Sequence, residues 1–118
     1  MMKTLKFKNH LADLILAGDK TVTWRLFDDK DLRLGDKLEF VKADTGIKFA
    51  EAEIFDVYEK KLRDVSDSDY DGHEKYQNQE EMLKTFKRYY NESVDLDTIV
   101  KIIKFKLLSY DQKNNSQG

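Results

Sequence analysis

A helical stripe that stops at a glycine and turns at once into a strand is what most narrows the folds open to this chain. Leu11, Leu14 and Ile15 fall on one side of a helix that begins after Asn9, a good N-cap residue. Gly18 follows, where the chain must turn with positive φ and a side chain would be penalised. Residues 21–27 are then rich in β-branched and aromatic types and read as a strand. In that strand Val22 and Trp24 share one face, while Thr21, Thr23 and Arg25 share the other. The apolar face belongs to the core. The polar face, with Lys20 at the joint, looks into whatever space the fold leaves open, and such a group suits an anionic or amide-bearing ligand.

The remaining elements have plainer signatures. Residues 3–8 alternate Leu5 and Phe7 with lysines, as a half-buried strand does. Residues 37–42 place Leu38 and Phe40 on one face; residues 43–46, ending in Gly46, mark a hairpin, and a long strand returns over 47–58. Residues 65–76 are irregular, because Gly72 stops any helix that starts near Ser66. Asn78, with Glu81 three residues on, caps a helix running through Met82, Leu83, Phe86 and Tyr89 or Tyr90. Residues 98–108 form the last strand, and the polar stretch 111–118 is expected to be a disordered tail beyond a single domain over 1–110. There is no internal repeat and no proline. The fold class expected is α+β: a small β-barrel of about five strands with two or three helices at its mouth.

Composition narrows the chemistry. The 118 residues suit one domain, and the absence of cysteine removes disulfides, a thiol nucleophile and a thiolate zinc site. No apolar run approaches the ~20 residues that span a bilayer, so a soluble cytoplasmic protein without a membrane partner, monomeric by default, is the expectation. The net charge of −2 argues against non-specific binding of nucleic acid driven by charge. Lysines cluster at Lys3, Lys6 and Lys8 and again at Lys101, Lys104 and Lys106, and would form a basic edge if the terminal strands paired. The blander reading, a solvated strand face that discourages aggregation, is preferred. His10 and His73 are too isolated to argue for a metal, and neither a cofactor nor a phosphate loop is indicated.

Gly18-x-Lys20 followed by Arg25, after Leu14-Ile15-Leu16-Ala17 and before Leu34-Gly35-Asp36-Lys37-Leu38, resembles the ASCH domain, a member of the PUA-like β-barrels. The resemblance covers roughly residues 3–108, with its specific motifs in the first forty. The family pattern Gly-x-Lys-x-x-Glu-x-Arg has Thr23 at its glutamate position here, a departure shared with the N4-acetylcytidine amidohydrolase branch, to which Lys20-Thr21-Val22-Thr23-Trp24-Arg25 is similar. The resemblance implies a PUA-like domain that binds RNA, a nucleotide or a modified nucleoside in a cleft lined by Lys20, Thr23 and Arg25. The alternative it implies is an amidohydrolase that removes the acyl group from an N4-acetylcytidine-like nucleoside.

For that chemistry Lys20 is the candidate base, since burial and a neighbouring Arg25 both disfavour its ammonium. Thr23 is the candidate nucleophile or substrate-binding hydroxyl. The resembling amidohydrolases place a glutamate between a barrel strand and the next helix, and that position falls here on Asp71-Gly72-His73-Glu74. Asp71 is the nearest match, one methylene shorter, and Glu74 the alternate. Thr21 and Arg25 are candidate ligand contacts, Tyr70 and Tyr76 candidate stacking surfaces, and Trp24 is assigned to the core.

Overall fold

The computed structural model describes residues 2–28, 30–90 and 93–110; Asp29, the loop positions 91–92 and the expected tail lie outside the described residues. Five strands, β1 (Lys3–Phe7), β2 (Val22–Leu26), β3 (Lys37–Lys42), β4 (Lys48–Lys61) and β5 (Ile99–Tyr110), make one sheet in the order β1-β3-β4-β5-β2. Only β1 and β3 are parallel; the other neighbours are antiparallel. The helix α1 (Asn9–Leu16) links the two edge strands, and α2 (Gln79–Tyr90) precedes β5. Two 3₁₀ turns, Leu62–Asp64 and Asp67–Tyr70, occupy the irregular stretch. The sheet curls until its edges approach, and the Arg25 guanidinium of β2 donates to the Lys6 carbonyl of β1 at 3.1 Å. The result is a small α+β half-barrel of the PUA-like kind.

Two hydrophobic cores explain why β2 and β5 are covered on both sides. The first lies within the curl, where Leu5, Phe7, Ile15, Phe40, Ile54, Ile103 and Phe105 meet. Its aromatic rings pack edge to face, Phe40 against Phe7 at 4.8 Å and against Phe105 at 4.9 Å. The second lies outside the curl, where α2 contributes Met82 and Phe86 against Val22, Trp24, Leu26, Val100 and Ile102. Alternation along β5 sends Ile103 and Phe105 into one core and Val100 and Ile102 into the other.

Local sequence accounts for the element ends. Gly18 has φ +83 and sits beyond α1, whose last turn is closed by the Asp19 and Lys20 amides donating to the Leu14 carbonyl. Lys8, not Asn9, is the N-cap of α1; Asn9 is its first residue and reaches Asp44. Asn78 caps α2 through the Glu81 amide at 2.9 Å. The terminal strands do not pair, so no basic edge forms between them. The β5 lysines are instead matched to carboxylates, Lys101 to Asp28, Lys104 to Asp56 and Lys106 to Glu53.

The segment between β4 and α2 is anchored by one buried carboxylate. Asp69 is 3% exposed and accepts from Tyr58 Oη, Lys60 Nζ and the Ser66 amide at 2.7, 2.8 and 2.8 Å. Burial alone would raise its pKa, but the hydrogen bonds from Lys60, Ser66 and Tyr58 hold it at about 2. A carboxyl depressed in the folded state stabilises the protein above its ordinary pKa of 3.8, and that contribution is lost as the pH falls from there towards 2. Asp69→Ala, which strands a lysine, a phenol and an amide together, is expected to cost about 3 kcal/mol in urea unfolding. It should also flatten the loss of stability between those two pH values; a variant as acid-sensitive as the parent would contradict this assignment.

Candidate active site

Lys20 leaves α1 through the Gly18 turn and is buried, 3% exposed, beneath the start of β2. Its Nζ donates to the Val22 carbonyl at 2.8 Å and to Glu74 Oε2 at 2.6 Å. Burial lowers its pKa; the Glu74 carboxylate works against that shift, and Arg25 adds slightly to it. Burial likewise pushes Glu74 up, but the adjacent His73, at a pH low enough to protonate its ring, and the Lys20 ammonium reverse the effect and hold it below the usual range. The resting site is therefore an ion pair joined by a short hydrogen bond, with its carboxylate 32% exposed and its amine enclosed.

Gly72 aims that carboxylate. Its carbonyl accepts from the Thr21 and Val22 amides at 2.8 and 3.2 Å, which fastens the loop to the first residues of β2. The next two residues then pass over Lys20. His73 stacks on Trp24, with ring centroids 4.2 Å apart and planes 19° from parallel, and its Nδ1 meets the Glu74 carbonyl at 2.7 Å. A carbonyl oxygen only accepts, so Nδ1 carries the proton and Nε2 has the free lone pair. Burial, together with the Lys20 charge, lowers the His73 pKa to about 4, so the ring is neutral at pH 7.

These groups share one cavity of about 270 Å³. Lys20, Thr23 and Arg25 form one side; His73, Glu74 and Tyr76 another; Phe86, Tyr89 and Tyr90 of α2 cover it, and Lys6, Phe7 and Lys8 of β1 and the turn after it complete it. Thr23 is 4% exposed and lines the cavity; the buried side-chain polar atom without a hydrogen-bond partner among the described residues is Trp24 Nε1, on the same wall. Arg25 lies over the Phe7 ring at 4.9 Å, while Asp28 and Asp31 pair with Lys101 and Arg33 instead of with it. Among the described residues no group of His, Asp and Glu is placed to hold a metal ion.

Not every residue singled out in the sequence arrives here. Asp71, the first choice for the acid, is exposed and lies outside the cavity; the alternate, Glu74, is the one beside Lys20. Thr21 is also exposed and outside, because β2 begins at Val22 and the Thr21 hydroxyl sits against Gly72 rather than following the strand's alternation. Tyr70 packs on Trp24 at 5.0 Å with its hydroxyl 3.9 Å from Met82 Sδ, behind the site, whereas Tyr76 lines it. Trp24 belongs to the core and to the cavity wall together. His73 was missed, since a lone histidine in an acidic stretch carries no spacing signal.

The architecture is therefore a curled sheet with helices over a polar and aromatic cavity. No family model matches the sequence, and no curated protein matches it. Solved structures do. A DUF984 protein of Enterococcus faecalis V583 superposes with TM-score 0.78 at 18% identity over 95% of this chain and 83% of that one. An ASCH domain from Lactobacillus crispatus JV V101 gives 0.70 at 19% identity over 92% and 81%. The ASCH protein of Zymomonas mobilis gives 0.58 at 12% identity over 97% and 76%. The protein has the ASCH-domain fold.

Proposed function

We propose that the cavity binds a nucleoside-sized ligand and hydrolyses an amide on its base, as the N4-acetylcytidine amidohydrolases that the Lys20–Arg25 motif resembles do. The observation that carries this reading is the enclosed Lys20 amine, paired with Glu74 in one cavity with the Thr23 hydroxyl. A cavity of about 270 Å³ suits one nucleoside rather than a strand of RNA, being near the lower end, ~300 Å³, of small-molecule sites.

The chemistry balances with these groups alone. Along the Lys20–Glu74 hydrogen bond the ammonium passes its proton to the carboxylate, and enclosure of the amine favours that neutral form. The Lys20 amine then takes the Thr23 proton as Oγ1 attacks the acyl carbon. Glu74 returns a proton to the departing amine as the C–N bond breaks. Water repeats the sequence on the resulting ester, with Glu74 protonating Thr23 and releasing the carboxylic acid. His73 and Tyr76 are the wall aromatics available to a base, since Trp24 is already stacked on His73 and runs near-parallel to Phe86.

The test is incubation with N4-acetylcytidine and measurement of cytidine released. Thr23→Val is expected to lower kcat/KM by at least about a thousandfold, whereas Thr23→Ser keeps a measurable rate. Full turnover by the valine variant would remove the nucleophile from this scheme. A second reading, a binding module without catalysis, is favoured by the aromatic wall and by Arg25; tight nucleoside binding by the parent with no cytidine released would select it.

A further inference from the structure

The charge of the cavity does not match that of the chain. The whole protein carries a net charge of −2. The cavity walls nevertheless hold four cations, Lys6, Lys8, Lys20 and Arg25, against one carboxylate, Glu74. Lys20 and Glu74 neutralise each other at 2.6 Å, and His73 is uncharged at pH 7. Lys6, Lys8 and Arg25 remain on the side formed by β1 and β2, and none of the three makes an ion pair among the described residues. That sets them apart from the β5 lysines, each of which faces a carboxylate.

Two of the three are held by groups that add no negative charge. Arg25 donates to the Lys6 carbonyl at 3.1 Å and lies on the Phe7 ring, which fixes the guanidinium at the seam between the sheet edges. Lys8 Nζ lies 4.6 Å from the centre of the Tyr89 ring on α2, so an aromatic face orients it without neutralising it. Lys6, exposed on β1, completes the row. Low-dielectric walls bearing one sign of charge concentrate ligands of the opposite sign. The Lys20–Glu74 pair and Thr23 take the base end of the ligand, so this second group is free for whatever the nucleoside carries on its sugar.

We infer that Lys6, Lys8 and Arg25 form a subsite for a phosphate group on the sugar of the ligand, so that the site takes a phosphorylated nucleoside in preference to a free one. This rests on the reading of the cavity as a nucleoside site. The shared chemistry is a phosphate oxygen, whether in a mononucleotide or in the phosphodiester of a short RNA.

Calorimetric titration of the full chain carrying Thr23→Val, so that the ligands are bound without being cleaved, with N4-acetylcytidine, its 5′-monophosphate and an acetylated trinucleotide separates the cases. The monophosphate is expected to bind about tenfold or more tightly than the nucleoside at low salt, with the ratio falling as salt is added. In Lys6→Ala/Lys8→Ala the ratio should fall towards one; circular dichroism checks that the variant is folded, and Lys6→Arg/Lys8→Arg should restore the ratio. A trinucleotide that outbinds the monophosphate identifies the diester as the source. Equal affinity for nucleoside and monophosphate overturns the subsite while leaving the amide reading intact. Failure of all three to bind overturns both.

Discussion

Lys20→Met will be inactive and well folded, whereas Glu74→Gln will be inactive and less stable. The asymmetry follows from where each end of the pair sits. Lys20 is enclosed and Glu74 is about one-third exposed, at 3% and 32%. Replacing the lysine removes a charge from an interior that disfavours it and leaves a carboxylate that water can reach, so unfolding free energy should change by no more than about 1 kcal/mol. Replacing the glutamate with glutamine leaves a buried ammonium with neutral acceptors alone, the Val22 carbonyl and the glutamine amide oxygen, and no countercharge. That should cost about 2 kcal/mol, less than for a fully enclosed pair because the carboxylate is partly hydrated. The double variant should recover most of the loss, since no uncompensated charge is left inside. Activity separates differently: each single variant should lose at least about a hundredfold to a thousandfold in kcat/KM for N4-acetylcytidine. Urea unfolding and rate measurements on the three variants suffice. A Lys20→Met protein that cleaves the amide would end the catalytic proposal, and one destabilised more than Glu74→Gln would contradict the burial argument.

Removing the carboxylate also changes how Lys20 titrates. Glu74 raises the lysine pKa and burial lowers it more, so without Glu74 the amine should lose its proton at a still lower pH. A group whose folded pKa is depressed by burial is protonated more readily in the unfolded chain. Glu74→Gln should therefore regain stability as the pH rises and the amine becomes neutral, and lose it as the pH falls.

Periodicity was enough to find the elements, because each buries a face that its own residues define. The α1 stripe, the Gly18 stop, the Asn78 cap and the alternation leading to Phe40 are local properties, and the helix-to-strand joint that presents Lys20 is one of them. What could not be read locally depends on non-local pairing. The parallel match of β1 with β3, which separates the terminal strands, is set by the curl of the whole sheet. Burial of both faces of β2 depends on α2 crossing outside it, and no alternation within residues 22–26 announces that. The acid shows the limit most clearly. Asp71 and Glu74 lie three positions apart in an acidic stretch, and only the docking of the Gly72 carbonyl on two β2 amides selects which of them faces the lysine.

That docking makes Gly72→Ala the most damaging glycine-to-alanine change among the described residues. Gly72 has φ +83, and a Cβ built there would lie 2.1 Å from Thr21 Oγ1 and 3.3 Å from Val22 Cγ2. Gly18, Gly35 and Gly46 also have positive φ, but a Cβ at any of them meets nothing within 4 Å. Alanine at those three positions should therefore cost about 1 kcal/mol of backbone strain. At position 72 the same strain is joined by a collision that turns Thr21 or lifts the loop off β2, and the total expected is about 2–3 kcal/mol. Thr21→Ala placed on top should relieve the collision while leaving the strain, which returns part of the stability. The functional effect should exceed the thermal one, because His73 and Glu74 follow directly and their aim depends on the two hydrogen bonds at Gly72. Tm, urea unfolding and amide cleavage measured on Gly72→Ala, Gly46→Ala and Gly72→Ala/Thr21→Ala separate these contributions. If Gly72→Ala matched Gly46→Ala in both stability and rate, the loop would not be held to β2 in the way that places Glu74 on Lys20.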